Sequence, residues 1–296
     1  MKKLEYNNVL DLFCGCGGMS LGFEEAGYHA LLGIDIWKDA LETYKYNHKQ
    51  SKTLCADIAS LNPSDVASLL DGNDVDVIIG GPPCQGFSIA GKRIVEDDRN
   101  KLYKGFVRMV NYFQPKAFVM ENVPNILSIG GGAVKEAIIK DFEELGYHIE
   151  VQVLLASDYG VPQNRRRAIF VGTRNGMAYE FPTPGNLPMV TSKEALSDLP
   201  DYSLPEGSPY PLGAMSDYQR FIRKESLGVY NHDITIHTQR TKEIIAMVPD
   251  GGNYKDLPVE LQQTRKVHIA WTRLNSEKPS FTIDCGHNHH FHYKYN

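Results

Sequence analysis

The sequence has no apolar run that approaches the ~20 residues of a membrane-spanning helix, and its first residues, MKKLEYNN, lack the apolar core of a signal peptide. Cysteine is scarce as well. The five cysteines are an odd number at scattered positions, so they do not make a disulfide framework. We therefore expect a protein of the reducing cytoplasm that does not enter a membrane.

The sequence also has fewer basic than acidic residues. The chain has 31 Lys and Arg against 36 Asp and Glu, a net charge of -5. This balance argues against a broad basic surface, so any nucleic-acid binding must use a local basic patch. The length of 296 residues, with 42% hydrophobic residues, is enough for one large domain and a smaller one.

What the sequence does have is a regular alternation of short apolar runs and amphipathic segments, up to about residue 173. This alternation is typical of an α/β fold in which helices cover a parallel sheet. Beyond residue 174, proline and glycine replace the pattern, as in FPTPGNLP and DLPDYSLPEGSPYPLG. We predict two domains, residues 1–173 and residues 174–296, of which the second is smaller and rich in loops. The apolar runs are VLDLF, HALLGI, TLCA, VDVIIG, AFVME, IEVQVLLA and AIFVGT.

In open parallel sheets, ligands bind beyond the carboxyl ends of the strands. The first run continues into DLFCGCGG, whose glycines let a backbone approach a ligand closely. Asp35 ends the second run, about 20 positions further on, where an acid suits a ribose diol. Asp57 follows the third run and can accept a hydrogen bond from an adenine amino group, although a solvated or helix-capping Asp is the alternative. Together these features predict a nucleotide pocket.

The fourth and fifth runs end in residues suited to covalent catalysis. Cys84 follows the fourth run in GGPPCQGFS, on a backbone stiffened by Pro82 and Pro83. The ordinary alternative for a free cysteine is a buried structural role. Glu121 ends the fifth run within ENVPN. A nucleophile and an acid at adjacent strand ends form a plausible catalytic pair.

These motifs resemble those of the DNA (cytosine-5)-methyltransferases. DLFCGCGG, GGPPCQGFS, ENV and QNRRR occur in the family's order, and EDDRNKLY resembles the end of its mobile catalytic loop. The resemblance implies a Rossmann-like S-adenosylmethionine-dependent methyltransferase fold with a smaller, loop-rich target-recognition region. It also implies methylation of cytosine carbon-5 in a specific duplex DNA sequence, as in bacterial restriction-modification systems, by a bacterial or phage-encoded protein of the cytoplasm.

The resemblance also implies roles for individual residues. Cys84 would attack carbon-6 of a flipped-out cytosine, Glu121 would hold its ring nitrogen 3 and amino group, and Arg165 and Arg167 would contact the base or a neighbouring phosphate. The residues implied for DNA binding are Gln85, Ser88, Arg99 and Gln163. Those implied for the cofactor S-adenosyl-L-methionine are Phe13, Gly15, Gly17, Asp35, Ile36, Asp57, Ile58 and Pro83. The family often has an aromatic residue where this chain has Ile36, so adenine stacking is lost there.

The end of the sequence, CGHNHHFHYKYN, permits a second interpretation, because Cys285 and the histidines at 287, 289, 290 and 292 can ligate zinc. Structural zinc sites usually draw their ligands from two separated motifs. The sequence has no second motif, so we predict no metal and expect these side chains near the DNA backbone instead.

Family members continue into a motif with an RxxTxRE-like core and a GNxV motif, whereas this chain stops at HYKYN. We expect either half of a split enzyme, whose second polypeptide supplies these motifs, or a truncated chain. In both cases one edge of the VLDLF strand would lack cover.

Three other functions are alternatives to DNA cytosine methylation. An adenine or amino-group methyltransferase would share the cofactor site but would show an Asn/Asp-Pro-Pro-aromatic signature where this chain has PPC. A tRNA cytosine-5 methyltransferase and a non-catalytic subunit that binds S-adenosylmethionine or DNA stay open.

Overall fold

The computed structural model describes residues 8–83, 100–185, 187–262, 271–283 and 290–294. The chain divides into two compact units, Met1–Leu154 with Arg166–Pro182, and Leu155–Arg165 with Thr183–Asn296. Within the described ranges, no helix has the length and hydropathy that a membrane crossing requires.

The first unit is built on a seven-stranded sheet in which every predicted apolar run forms a strand. The spatial order of the strands is β3-β2-β1-β4-β5-β7-β6. The predicted α/β, Rossmann-like fold is therefore confirmed. The strands are β1 (Asn8–Leu12), β2 (His29–Asp35), β3 (Lys52–Cys55), β4 (Val77–Gly80), β5 (Ala117–Asn122), β6 (His148–Leu155) and β7 (Arg166–Thr173).

Local chemistry accounts for the start of α3 and for the buried face of α4. The Asn62 side chain caps α3 by accepting a hydrogen bond from the Ser64 N–H, and Pro63 occupies the first turn. The longest helix, α4, buries one apolar face that includes Phe106 and Met109. The helices are α1 (Gly18–Glu25), α2 (Lys38–Asn47), α3 (Pro63–Ser68), α4 (Lys101–Phe113) and α5 (Ala133–Glu143), with 3-10 turns at Pro124–Leu127 and Ile129–Gly132.

One strand runs against the predicted direction. β1 to β5 pair in parallel, but β7 pairs antiparallel with β5, with Glu121 opposite Ile169 and Asn122 opposite Ala168. The expectation of a wholly parallel sheet is therefore wrong for β7. Because of this reversal, the beginning of β7 lies beside the carboxyl end of β5.

The expected lack of cover along the first strand is also wrong. β1 lies in the middle of the sheet, between β2 and β4. Val9, Leu10 and Leu12 are fully buried, since helices pack on both faces of a doubly wound sheet.

The second unit is rich in loops. Its apolar cluster is small and consists of Ile244, Ile245, Val248, Leu257 and Trp271. Within the part of this unit that the structure describes, the strands are two residues long: Gln163–Asn164 pairs with Ser280–Phe281, and Thr272–Arg273 pairs with His290–Phe291. The helices are α6 (Ser192–Leu196), α7 (Asp217–Ile222), α8 (Gln239–Ala246) and α9 (Val259–Gln262), with 3-10 turns at Ala156–Tyr159 and Tyr254–Asp256.

Candidate active site

The glycine loop, residues 13–17, joins β1 to α1. Phe13, Gly15 and Gly17 have φ of 61°, 53° and 95°, which is the left-handed region that glycine adopts without strain and phenylalanine does not. The Gly15 N–H donates a 2.9 Å hydrogen bond to Asp35 Oδ2, at the end of β2. Two strand ends are thereby joined, and a strained phenylalanine marks the point where β1 stops.

A cavity of about 510 Å³ opens next to this loop. It lies at the carboxyl ends of the strands, where open α/β sheets bind ligands. Lys101 and Leu102, the first residues of α4, also line the cavity. The sequence analysis did not assign them to the cofactor site, although they belong to the EDDRNKLY motif. The predicted cofactor residues that line the cavity are Phe13, Asp35, Ile36, Asp57, Ile58 and Pro83.

Both carboxylates of the cavity also hold local backbone. Asp35 Oδ1 accepts a hydrogen bond from the Trp37 N–H, in addition to the bond from Gly15. Asp57 Oδ1 accepts the Ala59 N–H at 2.9 Å, so the capping alternative describes part of its role. Among the described residues, Asp57 Oδ2 has no hydrogen-bond partner. Since a carboxylate has about four acceptor sites, both side chains can still accept hydrogen bonds from a ligand.

Gly15 and Gly17 are not among the described residues that line the cavity. Gly17 faces α2 instead, because a Cβ on it would lie 2.1 Å from His48 Nε2. Gly17 thus lets the loop approach α2, and Gly15 bonds the loop to Asp35.

Arg108 is a residue of the site that the sequence interpretation missed. Its guanidinium, on α4, donates hydrogen bonds from Nη2 to the carbonyl oxygens of Ile58, Ala59 and Leu61, at 2.8, 3.1 and 3.1 Å. Gly105, one turn earlier, lets α4 approach, because a Cβ there would lie 2.6 Å from the Ile58 carbonyl oxygen. The sequence did contain a signal for this role: Arg108 is a basic residue between Val107 and Met109 in a largely apolar helix, so its charge needs a partner.

The backbone that leads toward Cys84 is held tightly. A Cβ on Gly80 would lie 2.2 Å from the Leu12 carbonyl oxygen, and one on Gly81 would lie 3.4 Å from Glu121 Oε2. Asn122, which is buried, donates a 2.9 Å hydrogen bond from Nδ2 to the Pro82 carbonyl oxygen. Gly80 thus permits the close approach to β1, and Gly81 lies within ordinary contact distance of Glu121.

Glu121 and Arg167 form an ion pair at the carboxyl end of β5. Arg167 Nε donates a hydrogen bond to Glu121 Oε1 at 2.6 Å, and the two side chains are 22% and 26% exposed. Such charge-assisted bonds are short and directional. The pair exists because antiparallel β7 begins beside the end of β5.

The remaining predicted residues divide into two groups. Gln163 and Arg165 belong to the second unit, where Arg165 donates its N–H to the Gln163 carbonyl oxygen. Cys84, Gln85, Ser88 and Arg99 lie outside the described residues, as do the zinc candidates Cys285, His287 and His289.

The described residues hold no group of three or more His, Cys, Asp or Glu side chains that can bind a metal ion. The nearby Cys14 is buried, and burial raises the pKa of its thiol well above the usual range. Cys14 is therefore a poor nucleophile.

A family model and several named proteins match the sequence of this chain. The model of the C-5 cytosine-specific DNA methylase family matches residues 7–281. The Type II methyltransferase M.DdeI of Desulfomicrobium norvegicum is 41% identical over 273 residues, which cover 88% of this chain and 65% of that protein. The Type II methyltransferase M1.HphI of Haemophilus parahaemolyticus is 36% identical over 290 residues, with 97% and 73% covered.

A solved structure is similar as well. The crystal structure of a candidate DNA modification methyltransferase from an E. coli prophage superposes with a TM-score of 0.70 at 27% identity, over 93% of this chain and 82% of that one. The chain spans 65% of the length of M.DdeI. On the match over residues 7–281 and these relatives, the chain belongs to the C-5 cytosine-specific DNA methylase family.

Proposed function

We propose that the protein methylates carbon-5 of cytosine in a specific duplex DNA sequence, with S-adenosyl-L-methionine as the methyl donor. The observation that carries this proposal is the Glu121–Arg167 pair beside Gly81. The pair lies at the same edge of the sheet as a cavity that contains two carboxylates. The named bacterial relatives support a restriction-modification role and a bacterial cytoplasmic setting.

The cavity fits the cofactor chemically. Asp35 and Asp57 are acceptors, and a ribose diol and an adenine amino group are donors. Ile36 and Ile58 offer apolar surface for the adenine ring, while Phe13 and Pro83 complete the wall. When bound there, S-adenosylmethionine supplies an electrophilic methyl group.

The chain's own residues prepare the base. Cytosine carbon-5 is a weak nucleophile until Cys84, as a thiolate, donates an electron pair to carbon-6. After methylation, loss of the carbon-5 proton and departure of the thiolate restore the aromatic ring. A free cysteine with a pKa of ~8.5 is only a few per cent thiolate near neutrality, so positive charge near Cys84 would raise the reactive fraction.

We assign Glu121 to the pyrimidine edge of the cytosine. With Oε1 engaged by Arg167, Oε2 points toward Gly81, three residues before Cys84. In the proposal Glu121 holds ring nitrogen 3 and the exocyclic amine, which stabilises the charge that develops as the thiolate adds. Arg167 orients Glu121, and Arg165 is assigned to the base or a phosphate.

A cytosine in a duplex is inaccessible, so the proposal includes base flipping, which costs a few kcal/mol. Gln85, Ser88, Arg99 and Gln163 are the proposed DNA contacts. Residues 1–173 are assigned to catalysis and cofactor binding, and residues 174–296 to target recognition.

The test is a trapping experiment with duplex DNA that contains 5-fluorocytosine, whose fluorine blocks the final elimination. We expect a covalent protein–DNA adduct on Cys84 and none with Cys84→Ser. Cys55→Ser is the matched control, because Cys55 is an exposed free cysteine and serine keeps its hydrogen-bond donor. Labelled methyl transfer to duplex DNA, and not to tRNA, is the second readout. Full turnover by Cys84→Ser would contradict the assignment.

A further inference from the structure

A chain of buried polar side chains lies beneath the glycine loop. Ser20, on α1, donates a 2.6 Å hydrogen bond from Oγ to Asp11 Oδ2, and its Oγ lies 2.9 Å from the Tyr44 hydroxyl on α2. Because the single Ser20 hydroxyl proton points to Asp11, Tyr44 is the donor to Ser20. All three residues are buried, so these bonds are shielded from competing water.

His48 continues this arrangement one helical turn after Tyr44. Its Nδ1 lies 2.7 Å from Glu24 Oε2, and since a carboxylate only accepts, Nδ1 carries the proton. The imidazole packs on the Tyr44 ring with centroids 4.3 Å apart, and its side chain is 1% exposed. Within the described part of the chain, Nε2 has no hydrogen-bond partner.

Both rings press against Gly17. A Cβ on Gly17 would lie 2.1 Å from His48 Nε2 and 2.9 Å from Tyr44 Cδ2, closer than any carbon contact allows. The rings therefore fill the space on the α2 side of the loop. On another side, Asp35 holds the Gly15 N–H.

We propose that Tyr44, His48 and Glu24 form a brace that positions the glycine loop for the cofactor. The inference rests on the proposed function, because the ligand that the loop serves is S-adenosylmethionine. Phe13 lines the cavity from this loop, and Gly15 is bonded to the cavity residue Asp35. A displaced loop would therefore alter two walls of the cavity at once.

The brace acts through directional bonds. Apolar side chains of similar shape would fill the same volume at little or no cost in stability, but they would not define the orientation of the Tyr44 and His48 rings against Gly17. None of the three brace residues is among the described residues that line the cavity. They are positioning residues and make no contact with the reacting atoms.

The test compares Tyr44→Phe and Glu24→Leu with matched controls, because neither phenylalanine nor leucine can make the hydrogen bond of the residue it replaces. Tyr46→Phe and Glu25→Leu make the same chemical changes at exposed positions of the same helices. Calorimetry measures the Kd for S-adenosylmethionine, hydrogen exchange follows the amides of residues 14–20, and urea unfolding monitors stability. For each brace variant we expect a Kd about tenfold higher than for its control, with faster exchange in residues 14–20 and a urea midpoint close to wild type.

The outcomes separate the two proposals. If both brace variants match their controls in Kd and in loop exchange, the brace is wrong, whether or not the protein binds the cofactor. If the wild-type chain does not bind S-adenosylmethionine, the proposed function fails, and loop exchange without ligand still decides whether Tyr44 and Glu24 order the loop.

Discussion

At the residue scale, the carboxylates of the cavity hold local backbone and keep free acceptor sites for the proposed cofactor. Asp35 ties the glycine loop to β2 through Gly15, and Asp57 caps the turn at residues 57–61 through Ala59. Local hydrogen bonding and ligand binding are not alternatives here, because a carboxylate has more acceptor sites than either role uses.

This dual role makes Asp57→Asn a sharper probe than a change to alanine. Asparagine Oδ1 can still accept the Ala59 N–H, while the charge and the second acceptor oxygen are lost. We expect S-adenosylmethionine binding to weaken by about 1 to 3 kcal/mol, as measured by calorimetry. Asp35→Asn should weaken binding at least as much, because its amide nitrogen would face either the Gly15 or the Trp37 N–H that a carboxylate oxygen now accepts. Asp65→Asn, at an exposed position of α3, should have no effect. Unchanged affinity in both Asp35→Asn and Asp57→Asn would rule out this cavity as the cofactor site.

At the element scale, α4 supports the cavity from two points. Its first residues, Lys101 and Leu102, line the cavity, and Arg108 binds three carbonyl oxygens of the neighbouring turn. The turn that presents Asp57 and Ile58 is therefore held by a helix distant in sequence.

Arg108→Met should loosen this turn. The loss of charge-assisted hydrogen bonds to three part-buried carbonyl oxygens is expected to lower the free energy of unfolding by about 1 to 3 kcal/mol. The KM for the cofactor should rise while kcat changes little, because Arg108 touches the turn and not the reacting atoms. Lys104→Met, an exposed position on the same helix, is the control. An unchanged KM in Arg108→Met would refute this supporting role.

At the scale of the whole molecule, the buried Asp11 makes stability depend on pH. Burial in the centre of the sheet is the main reason that its pKa rises from 3.8 to about 7, and the Ser20 hydrogen bond opposes the rise. Between pH 4 and 7 the folded protein thus keeps a proton that the unfolded chain releases. This contribution to stability is complete below the unfolded pKa and is lost as pH rises through the folded pKa.

Asp11→Asn should remove this dependence while it keeps an acceptor for Ser20. Relative to wild type, the variant should gain up to about 1.4 kcal/mol per pH unit across that window and then level off above pH 7. Urea unfolding at several pH values measures the difference. A constant difference between pH 4 and 7 would show that Asp11 has an ordinary pKa in the folded protein.

Local sequence patterns were enough to predict the strands of the first unit and several residues at their ends. The apolar runs became β1 to β7, and Asp35 and Asp57 line the cavity, because hydrophobic periodicity and glycine placement act through local chain geometry. The predicted catalytic and binding roles stay predictions.

The antiparallel direction of β7 could not be predicted from the sequence pattern, and the pairing of Arg167 with Glu121 depends on it. The same is true of Arg108 on the 57–61 turn and of the Tyr44 and His48 rings against Gly17. A periodic pattern records which side of a strand or helix is buried, but not which distant segment packs there or in which direction it runs. Those choices depend on long-range packing, which no local stretch of the sequence encodes.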